Sequence, residues 1–193
     1  MSAGRNFDIV RRDISCKGKR CALYFVDGLV KDDTVQHVID TLMQKDADVR
    51  DASDLLSLCS SYISYTEASV VSDYGDAASA LLSGVAVLLC DGMDGCVCMD
   101  CRRYPCRNIT EPENDKVLRG SRVGFVETLT DNTALIRRYI RDPRLVMSAH
   151  RVGKISKTDV IICYMDGVAD KKYLKKLTEA VDGIKTGWKR RNR

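Results

Sequence analysis

Two apolar runs dominate the hydrophobicity pattern, and each is closed by Asp-Gly. Residues 21–26 (CALYFV) lead into Asp27-Gly28, and residues 160–165 (VIICYM) lead into Asp166-Gly167. A short continuous apolar run ended by a turn signal predicts a buried strand. A third run of this kind, 85–90 (VAVLLC), precedes Asp91-Gly92 and Asp94-Gly95, so residues 96–101 are predicted to fold back on it as a hairpin. Residues 7–14 and 145–152 alternate in part and predict two further strands.

Between these runs the period changes to that of helices. Asp32 or Asp33 can cap a helix whose apolar stripe is Val35, Val38, Ile39 and Leu42. Residues 51–57 predict a weaker helix and residues 60–66 an extended crossing. Residues 68–82 predict a helix interrupted near Gly75 and stopped at Gly84. Residues 107–111, between Pro105 and Pro112, read as an extended linker. The longest helix predicted is 124–141, with Phe125, Leu129, Leu135, Ile136 and Ile140 as core candidates and Asp142-Pro143 as its end. A last helix, 170–181, should turn Tyr173, Leu174, Leu177 and Val181 inward. A short extended piece from Ile184 and a basic tail follow.

The two Asp-Gly strands also resemble each other. Residues 19–33 (KRCALYFVDGLVKDD) and 158–172 (TDVIICYMDGVADKK) align at a constant offset of 139, matching Asp27 with Asp166 and Gly28 with Gly167. Each unit runs strand, turn, charged segment, helix, and each strand follows another strand. The predicted class is therefore α/β, with two small mixed α/β lobes of similar plan joined by a linker and a long helix. The lobes are residues 1–112 and 113–193, and the second is expected to be incomplete at its C-terminus.

Composition suits this picture. The 193 residues are 45% hydrophobic and 30% charged, enough for one ordinary core or two small ones. The formal charge of +4, three Phe and one Trp give little support for a nucleic-acid platform. No apolar run approaches the ~18 residues of a membrane span, and the first residues contain no apolar signal segment. The expectation is a soluble intracellular polypeptide with its nine cysteines as free thiols.

Candidate chemistry is sparse. His37 and His150 are the only histidines, and neither belongs to a sequence pattern for nucleophilic catalysis. Asp27-Gly28 and Asp166-Gly167 could place carboxylates at strand ends, but Asp-Gly is first a turn signal. Cys96, Cys98, Cys101 and Cys106 follow a C-x-C-x2-C-x4-C spacing that could hold zinc or an iron–sulfur cluster, although C-x-C departs from the usual C-x2-C knuckle. A metal-binding or thiol-dependent enzyme is the alternative this cluster keeps open, and a nucleic-acid adaptor is another. The basic residues Arg107, Arg119, Arg122, Arg137, Arg138 and Arg141 lie among the acids Glu111, Glu113, Glu127 and Asp142. An arginine–carboxylate network clamping the linker to the long helix is the expected arrangement, with anion binding as the alternative.

Residues 104–145 (YPCRNITEPENDKVLRGSRVGFVETLTDNTALIRRYIRDPRL) and 152–170 (VGKISKTDVIICYMDGVAD) resemble the signature region of the GerA family of bacterial spore germination proteins, and FVDGLVKDD at 25–33 is similar to its SpoVAF-like branch. The resemblance covers about residues 7–184. It implies a non-enzymatic soluble region of two α/β lobes, without cofactor, preceding transmembrane segments absent from this chain. It also implies self-association through the full-length protein and partnership with B-type transporter-like and C-type lipoprotein subunits or a SpoVAF partner, with no nucleic acid. The location implied is the spore inner membrane, with this region facing the spore core, and the role is to organise or gate an oligomeric receptor or ion-channel complex. The cysteine cluster is not explained by the resemblance.

Overall fold

The computed structural model describes residues 6–16, 19–44, 52–62, 67–104 and 124–184. It forms two compact units, one of residues 8–141 and one of residues 1–7 with 142–193. The division falls at 141–142 and not at the linker, because the helix at 129–139 buries its inner face in the first unit.

The first unit holds β1 (Ile9–Cys16), β2 (Lys19–Val26), α1 (Asp32–Gln44), α2 (Ala52–Tyr62), β3 (Ala68–Val71), α3 (Tyr74–Leu82), β4 (Ala86–Cys90), β5 (Cys96–Met99) and α4 (Leu129–Tyr139). Its five strands form one sheet in the order β1-β2-β4-β5-β3, antiparallel throughout. Both faces of the sheet are covered, which explains why its central strands read as unbroken apolar runs. On β2, Cys21, Leu23 and Phe25 face one core with Val35, Val38 and Leu42 of α1 and Leu55 of α2. Tyr24 and Val26 face the other core with Ala77, Leu81 and Leu82 of α3 and Ala134 of α4.

The second unit pairs β6 (Leu145–Val152) with β7 (Thr158–Met165) as an antiparallel hairpin and adds α5 (Lys171–Asp182). Asn6 and Phe7 belong to it. The Met147 N–H donates to Asn6 Oδ1 at 2.9 Å, and the Phe7 N–H donates to the Met147 carbonyl at 2.8 Å.

The repeat appears as two hairpins, each of two eight-residue strands, followed by matching turns. The Asp27 N–H donates to the Asp8 carbonyl and the Asp166 N–H to the Arg144 carbonyl, both at 2.8 Å. Gly28 and Gly167 adopt φ of 79° and 80°, the left-handed region that favours glycine. The turn reading of both Asp-Gly pairs is therefore what the backbone shows.

Several expectations change. Residues 68–82 are not one helix. Val70 and Val71 pair with β5, and Asp73 then caps α3 by accepting from the Asp76 N–H at 2.9 Å. Gly75 is no kink but lies in the first turn, where a Cβ would come within 2.8 Å of that capping oxygen. The extended crossing expected at 60–66 is helical as far as Tyr62, and 63–66 lie outside the described residues.

The long helix is shorter than 124–141, and its core candidates are misplaced. Phe125 is 68% exposed and Ile140 also faces solvent, while Thr133, Ala134 and Arg137 form the buried face. α5 buries no residue, and Tyr173 and Leu177 point outward. Finally, the cysteines are not all free thiols. Cys21 and Cys90 stand opposite each other in register across β2 and β4 and form a disulfide, because strand pairing brings together residues 69 apart.

Candidate functional site: the α4 dock

The arginine-bearing helix α4 reaches the first unit through three fastenings. Its entry is fixed first. Asn132 folds back on Val126, with the Val126 N–H donating to Asn132 Oδ1 and Asn132 Nδ2 donating to the Val126 carbonyl, both at 2.7 Å. This satisfies backbone groups just ahead of the helix, where intrahelical partners are missing.

Gly28 supplies the second fastening. A Cβ at this position would lie 2.9 Å from Ala134 Cβ and 3.2 Å from the Thr130 carbonyl. Small residues on both sides let the turn and the helix approach closely, so the glycine is required twice, by its φ and by its neighbour.

The third is an ion pair. Arg137 Nε donates to Asp8 Oδ2 at 2.6 Å and its Nη2 to Asp8 Oδ1 at 3.2 Å, with both side chains 0% exposed. A two-pronged guanidinium–carboxylate pair of this kind has its strength in geometry, since neither charge could stay buried alone.

Arg138 lies over the Tyr104 ring at 4.7 Å from its centroid, and the Tyr104 hydroxyl donates to the Ser83 carbonyl at 3.2 Å. Arg141 Nε donates to the Arg138 carbonyl. The three arginines therefore do not share one face. Asp142 pairs with Arg144 at 2.7 Å, which pulls its carboxyl down to about 2.

Among the described residues Arg137 takes Asp8, a partner not named from the sequence, and Glu127 is exposed. Arg107, Glu111, Glu113, Arg119 and Arg122 lie outside the described residues. Asp8 had a visible signal, a single acid set inside the apolar stretch FDIV.

A polar cleft of about 300 Å³ adjoins the dock, lined by Asp27, Asp32, Asp131, Arg103 and Thr130 among others. Burial raises the Asp27 carboxyl above its usual range, and the charges of Asp32 and Asp8 add to this.

The cysteine cluster is divided by the sheet. Cys96 and Cys98 lie in the core toward α3 and α4, and Cys101 lies in the opposite core. Burial pushes the Cys98 thiol up to about 12, which disfavours the thiolate a metal would need. Among the described residues no group of three or more His, Cys, Asp or Glu could hold a metal ion, and Cys106 is outside them.

One arrangement was invisible in sequence. Ser148 Oγ lies 2.9 Å from His150 Nε2, and His150 Nδ1 lies 2.8 Å from Asp182 Oδ1. This is the order of a hydrolase triad, but such a triad also needs spare N–H donors for an oxyanion. The Met147 N–H and carbonyl turn away from β7 toward Asn6 and Phe7, so by alternation those of Ser148 are used in the β6–β7 ladder. The line ties the C-terminal end of α5 to β6.

Taken together, the dock is a packing and ion-pairing device between a helix and an α/β sheet. The match to the Bacillus/Clostridium GerA spore germination protein model spans residues 1–188, and the chain belongs to that family. It is 34% identical to Stage V sporulation protein AF of Bacillus subtilis (strain 168) over 86% of this chain and 34% of that protein. It is 29% identical to spore germination protein GerLA of Bacillus cereus over 93% of this chain and 37% of that protein. The chain thus spans about a third of the length of these relatives. Its fold is similar to the crystal structure of the N-terminal domain of the A subunit of the Bacillus megaterium spore germinant receptor GerK3. The TM-score is 0.72 at 24% identity, covering 95% of this chain and 68% of that one. No described helix is long and apolar enough to cross a membrane.

Proposed function

We propose that this chain is a non-enzymatic domain of a spore germination membrane protein, facing the spore core at the inner membrane. Its role is to organise or gate an oligomeric receptor or channel complex with B-type, C-type or SpoVAF-like partners. The observation that carries the reading is the buried Asp8–Arg137 pair within a chain of this family. The pair locks α4 to the start of β1 within residues 8–141, a fixed packing of the kind that suits a part that holds subunit contacts without doing chemistry.

Cross-linking of the tagged chain in sporulating cells, read by mass spectrometry, tests the proposal. Germination subunits should be recovered, and less of them with Arg137→Ala. Turnover of an ester substrate by the pure chain, abolished by Ser148→Ala, would replace this reading with a hydrolase.

A further inference from the structure

The β2–β4 ladder is the seam of the first unit. It joins the β1–β2 hairpin to the β4-β5-β3 half of the sheet, and it runs only from Cys21 opposite Cys90 to Tyr24 opposite Val87. The β1–β2 ladder, by contrast, uses the whole of both strands. The short seam is fastened toward each of its ends.

One fastening is the Cys21–Cys90 disulfide. Beside it the Asp91 N–H donates to the Arg20 carbonyl at 2.8 Å, and Arg20 Nη2 pairs with Asp91 Oδ2 at 2.9 Å with both side chains exposed. An exposed ion pair holds little by itself, so the covalent bond is the main tie at this end.

The other fastening is the α4 dock. Ala134 lies in one core with Ile9, Val26 and Leu29 of the hairpin side and with Leu81, Leu82 and Val87 of the other half. Arg137 is held by Asp8, just before β1, while Arg138 lies over Tyr104, whose hydroxyl donates to the Ser83 carbonyl after α3. α4 therefore ties the two halves together across the seam.

The bridge is placed so that it can open without emptying the core. Cys21 and Cys90 are small buried residues on the α1 side of the sheet, and Cys90 directly precedes the exposed Asp91-Gly92 turn. The Lys19 carbonyl lies 3.8 Å from Cys21 Sγ, an acceptor for the thiol once it is released. Cys96 and Cys98 are buried thiols in the same sheet, so reduced cysteine already packs there.

We infer that Cys21–Cys90 is a redox latch that sets how firmly α4 is docked. A dithiol reductant opens it. One reductant thiolate attacks Cys90 Sγ, the S–S bond breaks, and Cys21 leaves as a thiolate that takes up a proton. The second reductant thiol then displaces Cys90, which is protonated in turn, and the reductant departs as its own disulfide. Without the bridge the two halves gain freedom whenever they part. Parting them undocks α4, so the undocked state becomes more populated.

The inference rests on the dock that also carries the receptor reading, but its test reads only the bridge and the helix. Failure to cross-link germination subunits leaves the latch standing, and an unresponsive α4 leaves the receptor reading standing.

The test is native-state amide exchange of the 193-residue chain in dithiothreitol buffers of graded reduced-to-oxidised ratio. Alkylation followed by mass measurement gives the bridged fraction in each buffer. Exchange at Leu129–Tyr139 should quicken about tenfold as the bridge opens, with the same midpoint as the bridge. Reoxidation should restore protection, and β7 and α5 should not respond. Cys21→Ala with Cys90→Ala should show the fast exchange in every buffer.

Unchanged α4 exchange across the bridge midpoint overturns the proposal. So does a response to dithiothreitol that persists in the double variant, since another cysteine would then cause it. Loss of circular dichroism in the reduced chain or in the double variant would also overturn it, because the bridge would then be a structural staple and not a latch. Alkylation of all nine cysteines without reductant would remove the bridge and the proposal with it.

Discussion

The two hairpin–turn–helix units are built alike and covered differently. Both have eight-residue paired strands, the same backbone bond closing the turn, and a glycine at φ near 80°. In the first unit the turn lies under α4, and a Cβ on Gly28 would collide with Ala134; among the described residues a Cβ on Gly167 would meet nothing within 4 Å. The residue opening the first strand is the buried Asp8 in one unit and the exposed Arg144 in the other. The same Asp-Gly after an apolar strand thus makes the same turn twice. What the turn does depends on whether a later segment of chain arrives to pack on it.

The largest test of this contrast is Arg137→Ala. It strands the Asp8 carboxylate in the core and should cost the first unit about 3–5 kcal/mol in urea unfolding. Arg144→Ala, which in the second unit stands opposite the turn as Asp8 does in the first, should leave the unfolding midpoint nearly unchanged, because its pair with Asp142 is exposed. Equal losses would remove the buried pair as the distinguishing feature.

Next is the disulfide. Reducing it, or replacing Cys21 and Cys90 with Ser, should lower first-unit stability by about 2–4 kcal/mol. The second unit has Val160 at the position of Cys21, so amide exchange in β7 should not change. Titration of all nine thiols in the non-reduced protein would contradict the bridge.

Alanine at each turn glycine makes a finer comparison. Gly167→Ala meets only the left-handed backbone and should cost about 1–2 kcal/mol. Gly28→Ala adds the collision with Ala134 and should cost about 1–3 kcal/mol more. Pairing Gly28→Ala with Ala134→Gly should recover part of the difference.

The smallest effects are in pH. Arg144 lowers the Asp142 carboxyl to about 2, below its unfolded value of roughly 4. What it contributes is present at neutral pH and lost as pH falls through the folded value. Asp27 behaves oppositely. Its carboxyl is raised in the fold, so the stability it lends is present in acid and fades as pH rises through that raised value. Carboxyl NMR titration should show the two midpoints on opposite sides of the ordinary range, and Arg144→Ala should return only Asp142 toward it.

Much of the fold was legible along the chain. The central strands, the Asp-Gly turns, α1 with its Val35–Val38–Leu42 stripe, the β4–β5 hairpin and the repeat itself are short-range patterns. They follow from side-chain period and from the φ that glycine alone takes easily. The candidate site was half legible. Arg137, Arg138 and Arg141 stood out as a cluster, but residue type cannot show which arginine is buried. Strand pairing was needed to bring Cys21 to Cys90, and the packing of α5 on β6 to bring Asp182 to His150.

α4 shows where that limit lies. Its apolar residues pointed to a core face of Leu129, Leu135, Ile136 and Ile140, yet the buried face is Thr133, Ala134 and Arg137. Hydrophobicity along a helix predicts burial only when the opposing surface is apolar. Here the opposing surface is a glycine turn and a carboxylate, and these select a small residue and an arginine. The sequence by itself determined the elements, their turns and their duplication, because those are decided within a few residues by backbone sterics and side-chain period. Only the tertiary structure decided which duplicate is covered and which charge is buried, because both depend on groups more than a hundred residues away.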